Sequence, residues 1–566
     1  MEAKNKMVIY QVFPRLFGND NDKCVKNGTI AENGCGKFSA FTPKALKAIG
    51  ELGVTHVWYA GIIEHATKTD YSAYGVRKDH PDIVKGAAGS AYAIKDYYDV
   101  DPDLADNIAD RMTEFEALVK RTHHENMKVI IDFVPNHVAR EYHSDAKPKG
   151  VRDLGEDDKT SIGFSNKNNF YYITQSPFLP QIEQSSDKSV GIYGEFPAKA
   201  TGNDVFNASP GKNDWYETIK LNYGVDYLNG GAEVFEPIPD TWYKMRDILL
   251  FWAGKKVDGF RCDMAQMVPL TFWKWAISQV KELFPDLIFI AEIYESHRYC
   301  DFLSEGCFDY LYDKVGLYDT LREVICGHRS AADITRCWQA NEGIQARMLN
   351  FIENHDEQRV ACDFFASDAQ RGIPAMVVAA AMNTNPVMIY AGQELGERGM
   401  DDEGFSGLDG RTTIFDYWSV ASIRNWRDNG KYDGANLTEE EKTLRGTYAK
   451  LLNICRTEPA IVKGRFFDLM YVNEHSDSFN SHRQYVFFRS SGREVLLVCV
   501  NFDGQQARMG VFVPAYAFEY MKVGSRENCT MEDLLTGEKI EVNFQPEQKL
   551  FFDIAAYGAR IFKLIL

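Results

Sequence analysis

The sequence predicts an α/β protein built on a (β/α)8 TIM barrel, with a subdomain inserted after strand 3 and a C-terminal antiparallel β-sandwich domain. Three observations support this. Short, nearly continuous apolar runs recur between residues 7 and 392, and each is followed by an amphipathic helical stretch. Eight such units fit a closed parallel barrel better than an open sheet. A long polar segment interrupts the alternation once, and strands separated by turns replace it near the end.

The eight predicted strands are MVIYQVF, THVWYAGI, KVIIDFV, VDGFRCD, LIFIAEI, CFDYLY, MLNFIEN and PVMIYAG, which begin at residues 7, 55, 128, 257, 287, 307, 348 and 386. The Gly- and Asn-rich segment after strand 3 is too long for a simple loop. From about Ile461 the runs QYVFFRS, EVLLVCVNF, RMGVFVP and ARIFKLIL are typical of antiparallel strands. We therefore expect barrel segments at 1–137 and 223–460, an inserted domain at 138–222 and a C-terminal domain at 461–566.

Composition excludes several classes of partner. The net charge is −18 and no long Lys/Arg run occurs, which disfavours nucleic acid. The longest apolar run, Ala375 to Met382, is too short to span a bilayer, and the N-terminal region lacks the pattern of a signal peptide. The eleven cysteines have no paired spacing, which predicts free thiols. We expect a soluble, cytoplasmic protein, and its oligomeric state stays open.

Polar and charged residues follow four of the predicted strands at the end where barrel enzymes carry their active sites. These residues are Asp132, Asn136 and His137 after strand 3, Arg261 and Asp263 at strand 4, Glu292 at strand 5, and Asn354, His355, Asp356 and Arg359 after strand 7. Carboxylates brought this close repel one another if all are ionised, so they require nearby cations and a purpose.

Each of these residues also has a structural interpretation. Asp263 fits a helix cap, Glu292 an exposed loop acid, Asp356 a partner for Arg359, and His355 a satisfied structural histidine. The convergence of three acids on one rim favours a site instead. Two carboxylates beside one arginine fit retaining glycoside hydrolysis, which uses an ionised nucleophile and a protonated acid. We expect Arg261 to keep Asp263 ionised, and Glu292, emerging from an apolar strand, to have a raised pKa.

The motifs DFVPNH, GFRCD, AEIYE and ENHDEQR occur in this order at strand ends. In this respect the sequence resembles the α-amylase family of retaining glycoside hydrolases (family 13). The resemblance implies that Asp263 is the nucleophile, Glu292 the general acid/base and Asp356 a third carboxylate that binds sugar hydroxyls. It further implies sugar contacts by Tyr92 in AYAIKDYYDVDP, His137 and His355, and it places Arg261 beside the nucleophile. We expect four other residues near the rim to contact the sugar as well: Arg359, Trp215, Tyr216 and Gln266. Trp215 and Tyr216 are equally suited to anchoring the insertion.

Two departures from the family pattern affect the acceptor side and the metal. Gln266 and Met267 replace a lysine and a histidine common in the family, which leaves acceptor preference open. The motif often written PDLN reads IKLN, so Lys220 replaces a frequent carboxylate and weakens the expectation of calcium. Asn136 is a possible calcium ligand. The loop GNDNDKCVKNG is either a solvated loop or a second calcium site with these oxygen ligands: Asn19, Asp20, Asp22 and Asn27.

The expected function is hydrolysis of α-glucosidic bonds, mainly α-1,4, in maltooligosaccharides or in starch- or glycogen-type glucans. The chemistry is expected to require no cofactor. A glucanotransferase or isomerase that uses the same carboxylates remains an alternative, as does a catalytically silent sugar-binding protein. A metal-dependent hydrolase is disfavoured because no strand end carries His-x-His or a similar ligand cluster. Linkage preference, endo or exo action and chain length stay open.

Overall fold

The barrel is formed by eight parallel strands within the residues that the computed structural model describes, 5–182 and 191–565. These strands, β1–β8, are Val8–Val12, His56–Tyr59, Lys128–Phe133, Gly259–Cys262, Ile288–Ala291, Tyr310–Tyr312, Met348–Leu349 and Val387–Tyr390. Each lies inside one of the predicted apolar runs. The sheet order is β7, β6, β5, β4, β3, β2, β1, β8, and a bridge between Asn350 and Val387 joins β7 to β8. The prediction of a closed (β/α)8 barrel is confirmed.

Helices cover the outside of the barrel. In chain order α1–α10 are Pro43–Gly50, Arg111–His124, Asp240–Gly254, Leu270–Leu283, Tyr299–Ser304, Asp319–Cys326, Ile334–Ala340, Ile373–Ala381, Ala421–Arg427 and Glu439–Thr457. The helix α2 shows why they pack: Phe115, Leu118, Val119 and Thr122 are its buried residues, at the spacing of one helical face. The exposed side chains Glu116, Ala117 and Lys120 lie between these positions, as expected for an outer helix.

Strand register places the charged residues at one end of the barrel. In β4, Arg261 pairs in register with Asp132 of β3 and with Ile290 of β5. Asp263 and Glu292 come directly after β4 and β5, so both follow the carboxyl ends of neighbouring parallel strands. The register therefore brings residues far apart in sequence to a common rim.

The segment between β3 and α3 forms the insertion. Its short strand His137–Ala139 pairs with Thr218–Lys220, and Tyr172–Ile173 pairs with Ala198–Lys199. A small apolar cluster separate from the main core is formed by three residues of the insertion, Phe178, Ala198 and Tyr216, and by Ile83 from the segment after β2. The long excursion after β3 thus has internal packing, as a subdomain requires.

A second excursion, which the sequence did not reveal, lies between β2 and α2. Its strands Ile63–His65 and Ile94–Val100 pair antiparallel. The second strand, IKDYYDV, is buried along its whole length although it carries three charged residues, so its hydropathy gave no strand signal. The excursion carries Tyr92 to the carboxyl-terminal rim, and the Tyr97 hydroxyl donates to the Val134 carbonyl after β3.

The C-terminal part is an antiparallel β domain, as predicted. Its strands β9–β16 are Arg465–Asp468, Gln484–Ser491, Glu494–Asn501, Ala507–Val513, Arg526–Asp533, Lys539–Phe544, Gln548–Ile554 and Ala559–Ile565, with helix α11 at Ala515–Met521. One sheet has the order β9, β10, β11, β16, β13, β14, and the other pairs β12 with β15. Phe552 and Phe562 join the two sheets with ring centroids 4.9 Å apart. In the described residues, no helix is long and apolar enough to cross a membrane.

A buried lysine connects the insertion to the barrel. The Lys220 ammonium lies 2.5 Å from Asn136 Oδ1 after β3, 2.7 Å from Asp204 Oδ1 in the insertion and 3.5 Å from the Met267 carbonyl after β4. Burial lowers the pKa of Lys220, and Asp204 opposes that shift. These oxygens surround a cation that the chain itself supplies, so they do not fit a calcium ion. Asn136, expected as a possible calcium ligand, instead accepts from Lys220.

We predict that Lys220→Met lowers the midpoint of thermal unfolding by several degrees. The change leaves Asn136 and Asp204 without their donor, at a cost of about 1–3 kcal/mol. Neither calcium nor EDTA should shift the midpoint of the wild-type protein, measured by circular dichroism. Lys167→Met, at an exposed position of the insertion, is the matched control and should change little. A wild-type midpoint that falls in EDTA would contradict this interpretation of Lys220.

Candidate active site

The site is organised around the guanidinium of Arg261, whose side chain has no solvent exposure. Its Nη1 lies 2.7 Å from Asp263 Oδ1 and 3.4 Å from Asp132 Oδ1. Its Nη2 lies 2.8 Å from Glu292 Oε2 and 4.0 Å from Asp356 Oδ2. Four carboxylates from the ends of β3, β4, β5 and β7 therefore surround one cation.

Aromatic rings hold this guanidinium in place. Its central carbon lies 5.4 Å from the ring centroids of both Trp58 and Tyr92, and 5.7 Å from that of Tyr312. The Trp58 indole also donates to Asp132 Oδ2 at 3.1 Å. Rings in this arrangement attract a cation and exclude water from it. The arginine is thus fixed before any ligand arrives.

The turn after Asp263 has a left-handed residue that orients the neighbouring acid. Met264 has φ 44° and ψ 42°, an uncommon conformation for a residue with a side chain. It directs the Met264 N–H to Glu292 Oε2 at 2.7 Å, and the Ala265 N–H donates to the Glu292 carbonyl at 3.0 Å. The backbone that carries one carboxylate therefore positions the other.

The second oxygen of Glu292 has its own partner. The Tyr294 hydroxyl donates to Glu292 Oε1 at 2.5 Å, and Tyr294 faces the same cavity. Gln266 places this tyrosine, because its Oε1 accepts from the backbone N–H groups of Tyr294 at 2.6 Å and of Glu295 at 3.1 Å. A phenol donates to a carboxylate and accepts from a carboxylic acid, so Tyr294 suits both protonation states of Glu292.

Asp356 is oriented by the histidine that precedes it. The His355 ring stacks on Tyr92 with centroids 5.0 Å apart, and its Nδ1 lies 2.7 Å from the Gln11 side-chain amide nitrogen. Burial and Arg261 lower the pKa of His355 well below its ordinary value, so the ring is neutral. With Gln11 donating to Nδ1, the proton is on Nε2, which lies 3.2 Å from Asp356 Oδ2. The Asp356 side chain is 41% exposed to solvent.

His137 and Trp215 form the wall on the insertion side. The centroids of the two rings lie 5.2 Å apart, and both side chains line a cavity of about 220 Å³ next to Arg261. Burial lowers the pKa of His137 to about 3, so this ring is also neutral. The remaining walls of the cavity are formed by Lys85, Ser90, Tyr92, Glu217, Thr218, Asp263, Met264, Glu292, Tyr294, Asp356 and Phe415.

The sequence did not single out the ion pair of Lys85 and Glu217 in this wall. Lys85 Nζ lies 2.7 Å from Glu217 Oε1, whereas Glu217 Oε2 is buried and has no partner among the described residues. An ammonium and a free carboxylate oxygen side by side offer a donor and an acceptor to a hydroxyl group. Neither residue follows a barrel strand, so the strand-end criterion could not find them.

The electrostatics of the acids differ from the expectation. We expected Arg261 to pair with Asp263 and keep it ionised, but its two terminal nitrogens lie at nearly equal distances from Asp263 and Glu292. Burial raises the pKa of Asp263 well above its ordinary value, Arg261 opposes the shift, and neighbouring acids reinforce it. Burial likewise raises the pKa of Asp132 to about 6. One guanidinium cannot neutralise four carboxylates, so the raised pKa of Asp263 contradicts the expectation that Arg261 keeps this acid ionised.

Three expected sugar contacts lie elsewhere in the structure. Arg359 is buried against Glu353 Oε2 at 3.0 Å and points away from the cavity, because its guanidinium also donates to Thr412 and to the Ala391 carbonyl. Tyr216 packs in the apolar cluster of the insertion. Gln266 caps the loop after β5. Hydrogen-bonding needs of loops and packing needs of the insertion, which motif position does not reveal, account for these differences.

The loop after β1, interpreted either as a solvated loop or as a calcium site, directs two of its four candidate ligands to protein groups. The Asn19 amide donates to the carbonyls of Asn33 and Trp418, and Asp20 pairs with Arg427 at 2.6 Å. Asp22 and Asn27 are exposed. Over residues 5–182 and 191–565, no three His, Cys, Asp or Glu side chains are grouped as metal ligands. Loop-anchoring contacts use the oxygen-rich side chains instead.

We predict that Asp263→Asn stabilises the fold while it lowers activity on the order of 10⁴-fold or more. The raised pKa values mean that the folded state binds more protons than the unfolded state, whose aspartates titrate near about 3.9. Stability therefore falls as pH rises from about 4 towards the pKa of Asp356, which burial and Glu292 raise to about 7. Relieving this repulsion should raise the unfolding midpoint more at about pH 8 than at about pH 5. Asp553→Asn, at a side chain 56% exposed, is the control, and an equal midpoint change at both pH values would contradict the prediction.

Comparison with known proteins places the chain in one family, whose matching members include alpha-amylases, a neopullulanase and maltosyltransferases. The family model described as alpha amylase, catalytic domain, matches residues 11–445. Alpha-amylase 2 of Dictyoglomus thermophilum is 21% identical over 505 residues, covering 88% of this chain and 70% of that protein. Neopullulanase 2 of Thermoactinomyces vulgaris is 23% identical over 415 residues, covering 71% of this chain and 58% of that protein.

Solved structures show the same fold. The maltogenic alpha-amylase AmyB of Thermotoga neapolitana superposes with a TM-score of 0.62 at 19% identity, covering 99% of both chains. An alpha-amylase of Geobacillus thermoleovorans, solved with acarbose, gives a TM-score of 0.63 at 17% identity, covering 100% of this chain and 99% of that one. The family match extends from β1 into α10 and includes every strand end that carries a site residue. The chain therefore belongs to the alpha-amylase family of glycoside hydrolases.

Proposed function

We propose that the protein is a retaining glycoside hydrolase that cleaves α-glucosidic bonds, mainly α-1,4, in maltooligosaccharides or in starch- or glycogen-type glucans. One observation carries the proposal: Asp263 and Glu292 leave neighbouring strands, are held by opposite nitrogens of Arg261, and face the same cavity. The retaining mechanism requires a nucleophilic carboxylate and an acidic carboxyl group that flank the same glycosidic bond.

The first chemical step forms a covalent glycosyl-enzyme. Glu292 acts as the general acid and transfers a proton to the glycosidic oxygen. Asp263 attacks the anomeric carbon as the bond to the leaving group breaks, and Arg261 holds the attacking carboxylate in position. Tyr294 stays hydrogen-bonded to Glu292 as the acid becomes a carboxylate.

The second step returns the enzyme to its starting state. Glu292, now ionised, takes a proton from water, and the water oxygen attacks the anomeric carbon of the ester. The bond to Asp263 breaks, and the sugar leaves with its original α-configuration. The Met264 N–H and Arg261 stabilise the Glu292 carboxylate during this exchange.

The cavity walls supply contacts for sugar hydroxyls and ring faces. Asp356, half exposed and oriented by neutral His355, is placed to accept hydrogen bonds from a sugar. Trp215 and Tyr92 present aromatic surface, and the Lys85–Glu217 pair offers a donor beside a free acceptor. All these groups suit an uncharged polyhydroxyl ligand.

A cytoplasmic location is part of the proposal. All eleven cysteines, which lie within the described residues, are unpaired thiols. A reducing compartment maintains cysteines in this form. Such a location would favour soluble maltooligosaccharides or glycogen-derived chains as substrates.

We predict that the protein converts maltoheptaose labelled at its reducing end into shorter sugars only. Products separated by chromatography show whether cutting is endo or exo, and Asp263→Ala should release none because it lacks the nucleophile. Products longer than the substrate would identify a glucanotransferase that uses the same acids. If the wild-type protein leaves every tested α-glucan intact, the hydrolase proposal is wrong.

A further inference from the structure

A second groove lies at the opposite end of the barrel. It has a volume of about 620 Å³ and runs between α7 and the C-terminal domain. Gln345 precedes β7 and Asn383 precedes β8, so both belong to the amino-terminal ends of the strands, whereas the carboxylates follow the carboxyl ends. The groove is therefore separate from the active-site cavity and larger than it.

Exposed tyrosines line the C-terminal side of this groove. Tyr471, Tyr516 and Tyr520 are 58%, 60% and 38% exposed. All three surround the buried ring of Phe467, with centroids 6.2, 6.0 and 5.3 Å away. Tyr516 and Tyr520 are four residues apart on α11, so they share one helical face. Several exposed aromatic rings around one groove are typical of a surface that binds a ligand.

The barrel side contributes a tryptophan that is held rigidly. The Trp338 indole N–H donates to Asp468 Oδ2 at 2.8 Å, and the hydroxyls of Thr335 and Tyr485 donate to the same oxygen at 2.7 and 2.8 Å. Asp468 Oδ2 therefore accepts three hydrogen bonds and positions the ring. The aromatic wall is fixed across the boundary between barrel and C-terminal domain.

The polar lining indicates the chemical class of the ligand. Amide and acid side chains contribute to the groove at Gln339, Glu342, Gln345 and Asn383. Among the described residues that line it there is no lysine or arginine, so it does not suit an anionic ligand. Aromatic faces beside amide and carboxylate groups, with no cation in the described part of the lining, fit an uncharged molecule with apolar ring faces and peripheral hydroxyls.

We infer that this groove is a secondary binding site for an α-glucan chain, with sugar rings on Tyr471, Tyr516 and Tyr520 and hydroxyls on the amides of Gln339 and Gln345. This inference rests on the proposed function for the identity of the sugar. A polymer long enough to reach both ends of the barrel occupies the groove and the cavity together, whereas a short oligosaccharide occupies only one of them. The groove thus raises the effective concentration of long substrates at the enzyme.

The test uses the double variant Tyr516→Ala/Tyr520→Ala in two assays, with Tyr243→Ala as the control. Tyr243 is 41% exposed on α3, away from the groove. In native gels containing glycogen, migration of the inactive Asp263→Ala protein should be retarded. Introducing Tyr516→Ala and Tyr520→Ala into this same protein should remove most of the retardation. In the active enzyme, the double variant should lower kcat/KM for glycogen by about tenfold and leave kcat/KM for maltotriose unchanged.

Different outcomes separate this inference from the proposed function. If the wild-type protein hydrolyses nothing yet is retarded by glycogen through these tyrosines, the groove binds glucan and the hydrolase proposal fails. If hydrolysis proceeds but the double variant behaves like wild type on glycogen in both assays, the inference is overturned. A wild-type dimer that the double variant converts to a monomer without any change on glycogen would overturn it too, and would identify a second copy as the occupant.

Discussion

Burial of one arginine among four carboxylates is the constraint on which the active site depends. The Arg261 side chain has no solvent exposure, so its charge requires neighbouring acids, and those acids require it in return. Strand register supplies the first pairing, because Arg261 of β4 lies opposite Asp132 of β3. Asp263 directly after β4, Glu292 directly after β5 and Asp356 after β7 complete the group. The single cation leaves excess negative charge, and repulsion within the group contributes to the raised pKa values of Asp263 and Asp356.

The surrounding structure holds this unfavourable arrangement together. The left-handed turn at Met264 and the hydroxyl of Tyr294 fix both oxygens of Glu292, while neutral His355 fixes Asp356. Outside the cluster, Lys220 joins the insertion to the turn after β4 with an ammonium rather than a metal ion. Repulsion among the acids lowers stability at neutral pH, and the packed barrel offsets this cost. Such a trade between stability and activity is expected where binding sites are prepared in advance.

Much of the fold and the central acids could be predicted from sequence, because both depend on local signals. Each barrel strand is a short apolar run, and Asp263 and Glu292 directly follow two of them, so position along the chain sufficed to place these two acids on the rim. The prediction was wrong where a side chain bonds to a residue that is distant in sequence: Arg359 donates to Thr412 and to the Ala391 carbonyl, and Gln266 accepts from the backbone of Tyr294. The Lys85–Glu217 pair escaped notice because two separate excursions bring it together. Motif position identifies a residue's place on the rim but not the direction of its side chain.

The central claim is that Asp263, held by Arg261, becomes covalently bonded to the sugar. The most direct measurement is the intact mass of the protein after incubation with a fluorinated α-glucosyl fluoride, which slows the second step, followed by peptide mapping. The account predicts a mass increase of one fluorosugar on the peptide containing Asp263, and none in Asp263→Ala. A label on another residue, or turnover without any covalent adduct and with inversion of the anomeric configuration, would contradict it.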